Sequence, residues 1–305
     1  MDFRNAESIT LTLLDDSLLN IVLAADAAIA KQANRMYSIP RILLGFLLYS
    51  YLLEKEFAKM KYMLSPNSVI YQIFVRNYSK QGTFAKVEQD LPRIGKLGAD
   101  IIYLMPIHEI GEVERKGKYG SPYAIKDYFS ISSDLGTLDD FKSLVAATHR
   151  KGMKIILDMV FNHTSPDNVL VEKHPEYYFY KDGKRGNRVG EWTDIVDLDT
   201  SKPEVQTYLL KVLKYWREFG VDGFRFDVAS LIPLEFFKRA RKALGKKVIF
   251  IGESVTDDFV KYLKKQGIKC TPDKDMYPTF DALYNYNWYY AMDKYIESGE
   301  YKTLI

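Results

Sequence analysis

The sequence KIILDMVFNHTS, residues 154–165, sets an apolar run directly before an aspartate and follows it with an asparagine and a histidine. The same order, an apolar run that ends on an acidic residue, returns in GFRFDVAS at residues 223–230 and in VIFIGES at residues 248–254. Short runs rich in β-branched and aromatic residues are typical of strands buried on both faces. These stretches therefore predict three buried strands, each with an acidic residue at its carboxyl end.

Similar runs occur throughout the chain after residue 65 and alternate with longer amphipathic segments, which is the pattern of βα units and a parallel sheet. Segments 137–151 and 202–219 predict helices, the second with Pro203 in its first turn and Gly220 as its stop. The predicted strands are 69–75, 101–105, 154–160, 223–228 and 248–253, with a weaker one between 269 and 280. The fold class is α/β, and the length allows one large barrel or two ordinary domains.

Two stretches differ from this alternation. Residues 1–62 contain one glycine, Gly45, and predict a helical extension, so the barrel is assigned to residues 63–305. Residues 161–200 form an irregular stretch rich in Gly, Asp, Tyr and Lys, with no clear helix. A connection of that length inside a compact domain usually carries function.

Composition narrows the classes of partner and compartment. The 43 Lys and Arg residues against 40 Asp and Glu residues leave a formal charge of +3, too small for a strong field toward nucleic acid. The single cysteine, Cys270, cannot form an internal disulfide, and the first residues lack the features of a secretion signal. The apolar stretch 42–53 is shorter than the roughly 20 residues of a membrane span, which favours a buried or interfacial helix. We expect a cytoplasmic protein without nucleic acid or membrane partners.

Asp158, Asp227 and Glu253 end predicted strands, and a parallel barrel opens the carboxyl ends of its strands onto one face. Arg225 precedes Asp227 by two residues, so both side chains point to the same side of the strand. A cation beside a carboxyl lowers its pKa, and an ionised carboxylate can act as a nucleophile. Glu253 ends an apolar run, where a carboxyl tends to stay protonated and to act as an acid. Glycoside hydrolysis uses such a pair of carboxyls with opposed roles.

A single acidic residue at a strand end is also explained as the cap of the helix that follows it. Three of them, together with a nearby arginine, asparagine and histidine, are harder to explain in that way. The stretches DMVFNHTS, GFRFDVAS and IGES, in this order, resemble the motifs of the α-amylase family of glycoside hydrolases, family 13, over about residues 67–290. The resemblance implies a (β/α)8 TIM-type barrel with Asp227 as nucleophile, Glu253 as general acid/base and Arg225 holding the nucleophile.

The resemblance also implies sugar-binding residues. His163 matches the histidine that hydrogen-bonds the sugar at the cleavage site, and Asp158 matches the strand-three aspartate that supports the site. Tyr123 in SPYAIKDY matches the tyrosine on which that sugar stacks, with Asp127 four residues on. Residues 161–200 resemble a short form of the domain B that the family inserts after strand three. The aromatic residues of this insertion that are candidates to line the cleft are Tyr177, Tyr178, Phe179, Tyr180 and Trp192.

The sequence departs from the family pattern after Glu253. The family's fourth motif, Asn-His-Asp near strand seven, carries an aspartate that stabilises the transition state, whereas the last histidine of this chain is His174. We therefore expect an incomplete barrel, with about six of the eight strands and two open sheet edges. Without that aspartate, catalysis by this chain is expected to be weakened or lost.

The predicted chemistry requires no cofactor. Many family members bind calcium between the asparagine of the first motif, acids of domain B and a backbone group after the second motif. Asn162 matches that asparagine, and Asp194, Asp197 and Asp199 are the candidate acidic ligands. These oxygen atoms make calcium a candidate ligand. The sequence nevertheless does not predict calcium binding, because Leu231 stands where calcium-binding relatives have a histidine.

The sequence thus predicts a retaining α-amylase-like glycoside hydrolase of carbohydrate metabolism that acts on α-1,4-linked glucans or maltooligosaccharides. Two alternatives stay open. One is a catalytically silent amylase-like protein that binds sugar or a partner chain, which the apolar stretch 42–53 favours and the intact set of site residues opposes. The other is a different barrel glycosidase or a sugar-isomerising relative within the same family, such as a sucrose or trehalose specialist, and the reaction products would distinguish these.

Overall fold

A sheet of six parallel strands organises the part of the chain that the structure describes. The structure is a computed structural model that describes residues 64–65, 67–190 and 192–300. The predicted helical extension at residues 1–62 and the apolar stretch 42–53 lie outside the described residues. Within the described residues, every helix is too short or too polar to span a bilayer.

The sheet takes its strands in the order in which they follow one another along the chain. The strands of the described part are β1 (Ile70–Ile73), β2 (Ile101–Leu104), β3 (Glu109–Ile110), β4 (Ile125–Asp127), β5 (Lys154–Met159), β6 (His163–Thr164), β7 (Tyr180–Lys181), β8 (Lys184–Arg185), β9 (Val196–Asp197), β10 (Gly223–Phe226), β11 (Ile249–Gly252) and β12 (Ala282–Leu283). The order across the sheet is β1-β2-β5-β10-β11-β12, and every neighbouring pair is parallel. The sheet curls into an open half-barrel with β1 and β12 at its edges, which confirms the expected incomplete (β/α)8 barrel.

Helices connect the strands as βα units require. They are α1 (Val75–Tyr78), α2 (Phe84–Lys96), α3 (Leu138–Arg150), α4 (Val169–Lys173), α5 (Pro203–Glu218), α6 (Leu234–Leu244), α7 (Asp257–Lys265), α8 (Asp273–Met276) and α9 (Tyr286–Ser298). The two helices predicted from the sequence are confirmed as α3 and α5. Thr137 and Asp140 form a capping box at the start of α3, and Pro203 occupies the first turn of α5, where its missing N–H costs nothing.

Five of the six predicted strands are confirmed within two residues at either end. The position of the sixth is wrong, because residues 269–280 contain α8 and turns, while the strand itself is the later pair Ala282–Leu283. Pro272 and Pro278 explain the difference, since proline cannot donate a ladder hydrogen bond and Pro272 sets the start of α8.

The insertion at residues 161–200 contains more regular structure than expected. It holds the five-residue helix α4, the antiparallel pair β6–β9 and the hairpin β7–β8. The prediction that it has no helix was therefore wrong. Asn168 explains α4, because its side chain accepts the N–H of Leu170 and caps the helix.

The sheet buries side chains on both faces. In β2, Ile102 and Leu104 pack in the large cluster under the helices, while Ile101 and Tyr103 alternate into a smaller cluster on the inner face. Trp216 of α5 is fully buried in the outer layer, and its indole N–H donates to the carbonyl of Tyr128 at 2.9 Å. Because successive side chains alternate between two buried faces, residues of one parity in each strand point into the barrel interior, where the site lies.

One core residue makes stability depend on pH. His108 is 1% exposed between the edges of Tyr128 and Trp216, and neither ring nitrogen has a hydrogen-bond partner among the described residues. Burial lowers the pKa of His108 to about 3. The unfolded chain takes up a proton below about pH 6.5 that the fold excludes, so this residue's contribution to stability falls as the pH drops.

We expect His108→Leu to stabilise the protein, and the gain to grow by about 1–2 kcal/mol between pH 7 and pH 5, because leucine has no proton to take up. Urea unfolding at both pH values measures it, with His174→Leu at an exposed histidine as the matched control. An advantage over the parent protein that is the same at pH 7 and pH 5 would contradict this account.

Candidate active site

Arg225 joins three carboxyl groups at the open face of the half-barrel. Its Nη1 donates to Asp158 Oδ1 at 2.9 Å and to Asp227 Oδ1 at 2.9 Å, and its Nη2 lies 2.9 Å from Glu253 Oε2. The Arg225 side chain is 5% exposed. The structure therefore brings together all three acidic residues predicted at strand ends, around the arginine predicted to hold the nucleophile.

Strand register explains this convergence. Arg225 in β10 lies opposite Asp158 in β5, so both side chains point to the same face of the sheet. The ladder continues past the strand ends, because the Asp227 N–H donates to the carbonyl of Met159 and the Glu253 N–H donates to the carbonyl of Phe226, both at 3.0 Å. Three neighbouring strands thus deliver their carboxyls to one edge.

The charge of this cluster differs from the expectation for Asp227. Burial raises the pKa of Asp227 well above its usual value, the negative charge of Asp158 adds to that effect, and Arg225 opposes it. Burial likewise raises the pKa of Asp158, which is 0% exposed. The expectation that Arg225 keeps the pKa of Asp227 low was wrong, because one guanidinium faces three carboxyls that have been removed from water.

The surroundings of Glu253 also differ from the expected apolar wall. Its Oε2 accepts the N–H of Val228 at 2.9 Å in addition to its contact with Arg225, and its Oε1 accepts the hydroxyl of Tyr286 at 2.7 Å. Val228 has φ +39°, a left-handed conformation that a β-branched residue rarely adopts. That conformation directs a backbone N–H at the carboxyl, so backbone strain is stored next to the reacting groups.

Two further predicted residues lie beside the cluster. The Tyr123 hydroxyl donates to Asp158 Oδ2 at 3.3 Å, and Asn162 Nδ2 lies 3.3 Å from His163 Nδ1. Burial lowers the pKa of His163 to about 4. At neutral pH its ring is therefore uncharged, which suits hydrogen bonding to a sugar hydroxyl and adds no positive charge.

Part of the predicted set lines a cavity of about 420 Å³. Its walls include Tyr123, His163, Asp227 and Glu253 from the predicted set. Other lining residues come from the insertion and from α7, namely Val189, Trp192, Asp194, Ile195 and Phe259. A second cavity of about 680 Å³ shares Asn162, Val189 and Leu231 with the first and continues between the insertion and α7. Because they share these residues, the two cavities adjoin.

Some predicted residues lie elsewhere. Asp127 is not among the residues that line the catalytic cavity; its Oδ1 accepts the N–H of Phe129 at 2.9 Å and shapes a turn. Of the insertion's aromatic residues, Trp192 lines the catalytic cavity and Phe179 lines the adjoining one. The remaining three do not line either cavity: Tyr177, Tyr178 and Tyr180.

Three tyrosines at the site were missed by sequence reasoning. The Tyr103 hydroxyl donates to Asp158 Oδ2 at 2.6 Å, and the guanidinium of Arg225 lies 5.2 Å above the ring of Tyr284. Tyr286 contacts Glu253 as described above. For Tyr103 the signal was available, because it shares the inward parity of Ile101 in a predicted strand. For the other two the only signal was the aromatic run FDALYNYNW at residues 280–288.

The candidate calcium ligands do not fit a metal site. Asp194 Oδ1 is bound by Lys116 Nζ at 2.6 Å. The backbone N–H of Arg188 donates to Asp197 Oδ2 at 2.8 Å, its Nη1 donates to the carbonyl of Leu198 at 3.0 Å, and its Nη2 lies 3.5 Å from Asp199 Oδ1. Since calcium needs six to eight free oxygen ligands, protein cations and donors already occupy the groups that it would use.

Asn162 directs its amide nitrogen at one of the candidate ligands. Its Nδ2 donates toward Asp197 Oδ1 at 3.5 Å, whereas a cation would need the amide oxygen of Asn162. Burial raises the pKa of Asp197 to about 6, and the backbone N–H and guanidinium of Arg188 oppose that effect. Across residues 64–65, 67–190 and 192–300, no three His, Cys, Asp or Glu side chains are arranged to hold a metal ion.

Comparison with known proteins gives consistent matches. A family model described as "Alpha amylase, catalytic domain" matches residues 69–195 and 191–276. An α-1,4-glucan:maltose-1-phosphate maltosyltransferase from Rhodospirillum rubrum is 37% identical over 211 residues, which are 61% of this chain and 30% of that protein. A trehalose-6-phosphate hydrolase from Escherichia coli is 33% identical over 202 residues, 54% of this chain and 36% of that protein.

Among solved structures, an α-amylase from Lactobacillus plantarum superposes with a TM-score of 0.75 at 46% identity and covers 77% of this chain. The match covers 56% of the amylase chain. The chain thus spans about a third of the length of the curated relatives and about half of the solved amylase.

Proposed function

Because the chain belongs to the α-amylase catalytic-domain family, we propose that it cleaves α-glucosidic bonds in maltooligosaccharides or related α-glucans by a retaining double displacement. One observation carries this proposal: Asp227 and Glu253 bind the two terminal nitrogens of the same guanidinium, that of Arg225. Carboxyls bound to one guanidinium lie near each other, which supports the arrangement of retaining enzymes, whose two carboxyls are roughly 5–5.5 Å apart.

In the first step, Asp227 Oδ attacks the anomeric carbon while Glu253 gives its proton to the glycosidic oxygen, and the sugar on the leaving side departs as an alcohol. In the second step, Glu253 takes a proton from a water molecule whose oxygen attacks the same carbon and releases Asp227. Both displacements invert the anomeric carbon, so the product retains the α configuration.

The charge imbalance around Arg225 supports this chemistry. Burial raises the pKa of Asp158 and Asp227, and repulsion among three carboxyls that share one guanidinium adds to that effect. A glycosyl transition state carries positive charge at the anomeric carbon and ring oxygen. Its formation relieves the repulsion between the carboxyls, which stabilises the transition state more than the neutral substrate.

The shape of the site supports an oligosaccharide substrate. Tyr123 and the partly exposed Trp192 offer aromatic faces to sugar rings in the catalytic cavity. The adjoining cavity, with Phe179 on its wall, gives room for further sugars beyond the cleaved bond. The relatives compared above include a transferase and a hydrolase. We propose hydrolysis as the main reaction, and the product distribution tests it.

Maltotetraose incubated with the protein and followed by proton NMR provides the test. We expect shorter maltooligosaccharides whose new reducing ends appear first as the α anomer, and no turnover by Asp227→Asn. Products that are mainly longer than maltotetraose would show that the main reaction is transfer and not hydrolysis. A β anomer formed first would contradict retention, and calorimetric binding of maltotetraose without turnover would favour the silent sugar-binding alternative.

A further inference from the structure

Tyr286 contacts the carboxyl that the proposed function assigns to proton transfer. Its hydroxyl donates to Glu253 Oε1 at 2.7 Å, while Glu253 Oε2 accepts from Arg225 Nη2 and from the Val228 N–H, each at 2.9 Å. Tyr286 is thus the one donor to Oε1 among the described residues. A glutamate side chain has three rotatable bonds, and contacts at one oxygen alone still allow combined rotations about these bonds to swing the other oxygen around it.

The chain holds Tyr286 in place through the segment before it. The Tyr284 N–H donates to the carbonyl of Gly252 at 3.0 Å, and Ser254 Oγ donates to the carbonyl of Tyr284 at 2.5 Å. Asn285 then caps α9, because its side chain accepts the N–H of Trp288 at 2.9 Å. The backbone on either side of Tyr286 is therefore tied both to the end of β11, where Glu253 follows, and to the helix start.

The hydroxyl has the character of a donor. Burial raises the pKa of Tyr286 and the contact with Glu253 adds to that effect, so the phenol keeps its proton throughout the neutral range. The neighbouring aromatic residues of α9 lack this contact, since Tyr289 and Tyr290 are more than half exposed. The contact with Glu253 thus distinguishes Tyr286 within an aromatic run.

We propose that Tyr286 is a positioning residue that fixes the carboxyl plane of Glu253 toward the scissile bond. This inference rests on the proposed function for its catalytic consequence, although the contact itself does not. A carboxyl held at both oxygens presents its proton in one direction, and misplacement of a reacting group by about 1 Å costs up to about 100-fold in rate.

Tyr286→Phe removes the hydroxyl and keeps the ring, and Tyr289→Phe is the matched control in the same helix. On maltotetraose we expect Tyr286→Phe to lower kcat by about 10- to 100-fold with KM changed less than about twofold, because ground-state binding does not need the orientation of Glu253. Equal loss in both variants, or a change confined to KM, would overturn the proposal.

Crystal structures of the parent protein and of Tyr286→Phe separate this inference from the proposed function. We expect the Glu253 carboxyl to occupy one orientation in the parent and a rotated or divided one in the variant. A parent protein without turnover would count against the proposed function only, because the two structures still decide the positioning role. An unchanged Glu253 in the variant overturns that role even if both proteins are active.

Discussion

Glu253→Gln is expected to reduce turnover of maltotetraose by about 10³- to 10⁴-fold with the fold intact. The reason is that glutamine has no acidic proton to deliver to the leaving oxygen. The amide oxygen can still accept the Val228 N–H, and Arg225 keeps its contacts with Asp158 and Asp227. Thermal unfolding should therefore stay within a few degrees of the parent protein. Glu235→Gln, on the exposed side of α6, is the matched control.

Activity on the substrate α-maltosyl fluoride distinguishes the nucleophile from the general acid. Fluoride departs without protonation, so Glu253→Gln should regain most of its first-step rate on this substrate. Asp227→Asn should remain inactive on both substrates, because no nucleophile is left to attack the anomeric carbon. If fluoride restores Asp227→Asn instead, the assignment of nucleophile and acid is reversed. If it restores neither, Glu253 does not act as the general acid.

Arg225→Met is expected to lower the free energy of unfolding by about 3–5 kcal/mol at pH 7, which is the usual cost of removing one partner from a buried ion pair. The substitution keeps most of the side-chain volume and leaves Asp158, Asp227 and Glu253 without their shared cation. Arg239→Met, at an arginine on α6 that is exposed and bonds only to Thr207 among the described side chains, is the matched control.

The loss should shrink on mild acidification. The pKa values of Asp158 and Asp227 are raised in the fold, so between the unfolded value near 4 and the folded value the native state binds more protons, and stability falls as the pH rises. Removing Arg225 raises the pKa of both carboxyls further, so the pH range over which stability falls extends to higher pH. Urea unfolding at pH 5 and pH 7 measures the difference, and a loss of equal size at both values would show that packing rather than charge accounts for it.

The sequence was enough to predict which side chains of each strand face the barrel interior. Arg225 and Asp227 stand two residues apart on a β-rich run, and this spacing alone puts both side chains on one face. The order of the sheet follows from the alternation of strands and helices, which brings Asp158 and Glu253 to either side of them. These residues lie in regular structure, where position along the chain determines direction in space.

The protonation of the site could not be predicted in the same way. Local sequence shows that Arg225 is near Asp227, but it does not show that Asp158 shares the same guanidinium and that all these groups are buried. Burial and repulsion from a distant strand raise the pKa, and both depend on the tertiary structure. Tyr286 was missed for a related reason, because it reaches Glu253 from the start of a helix whose approach is set by loop contacts.

The order of strands across the sheet has a consequence for how the chain folds during synthesis. Each strand pairs with the strand that precedes it in the sheet and has already left the ribosome, so βα units can be added one at a time. The pairing of β5 with β10 encloses the whole insertion and closes the longest loop of the series. That pairing also brings Asp158 to Arg225, so closing the longest loop forms the first contact between strands in the charge cluster, which Glu253 completes when β11 is added.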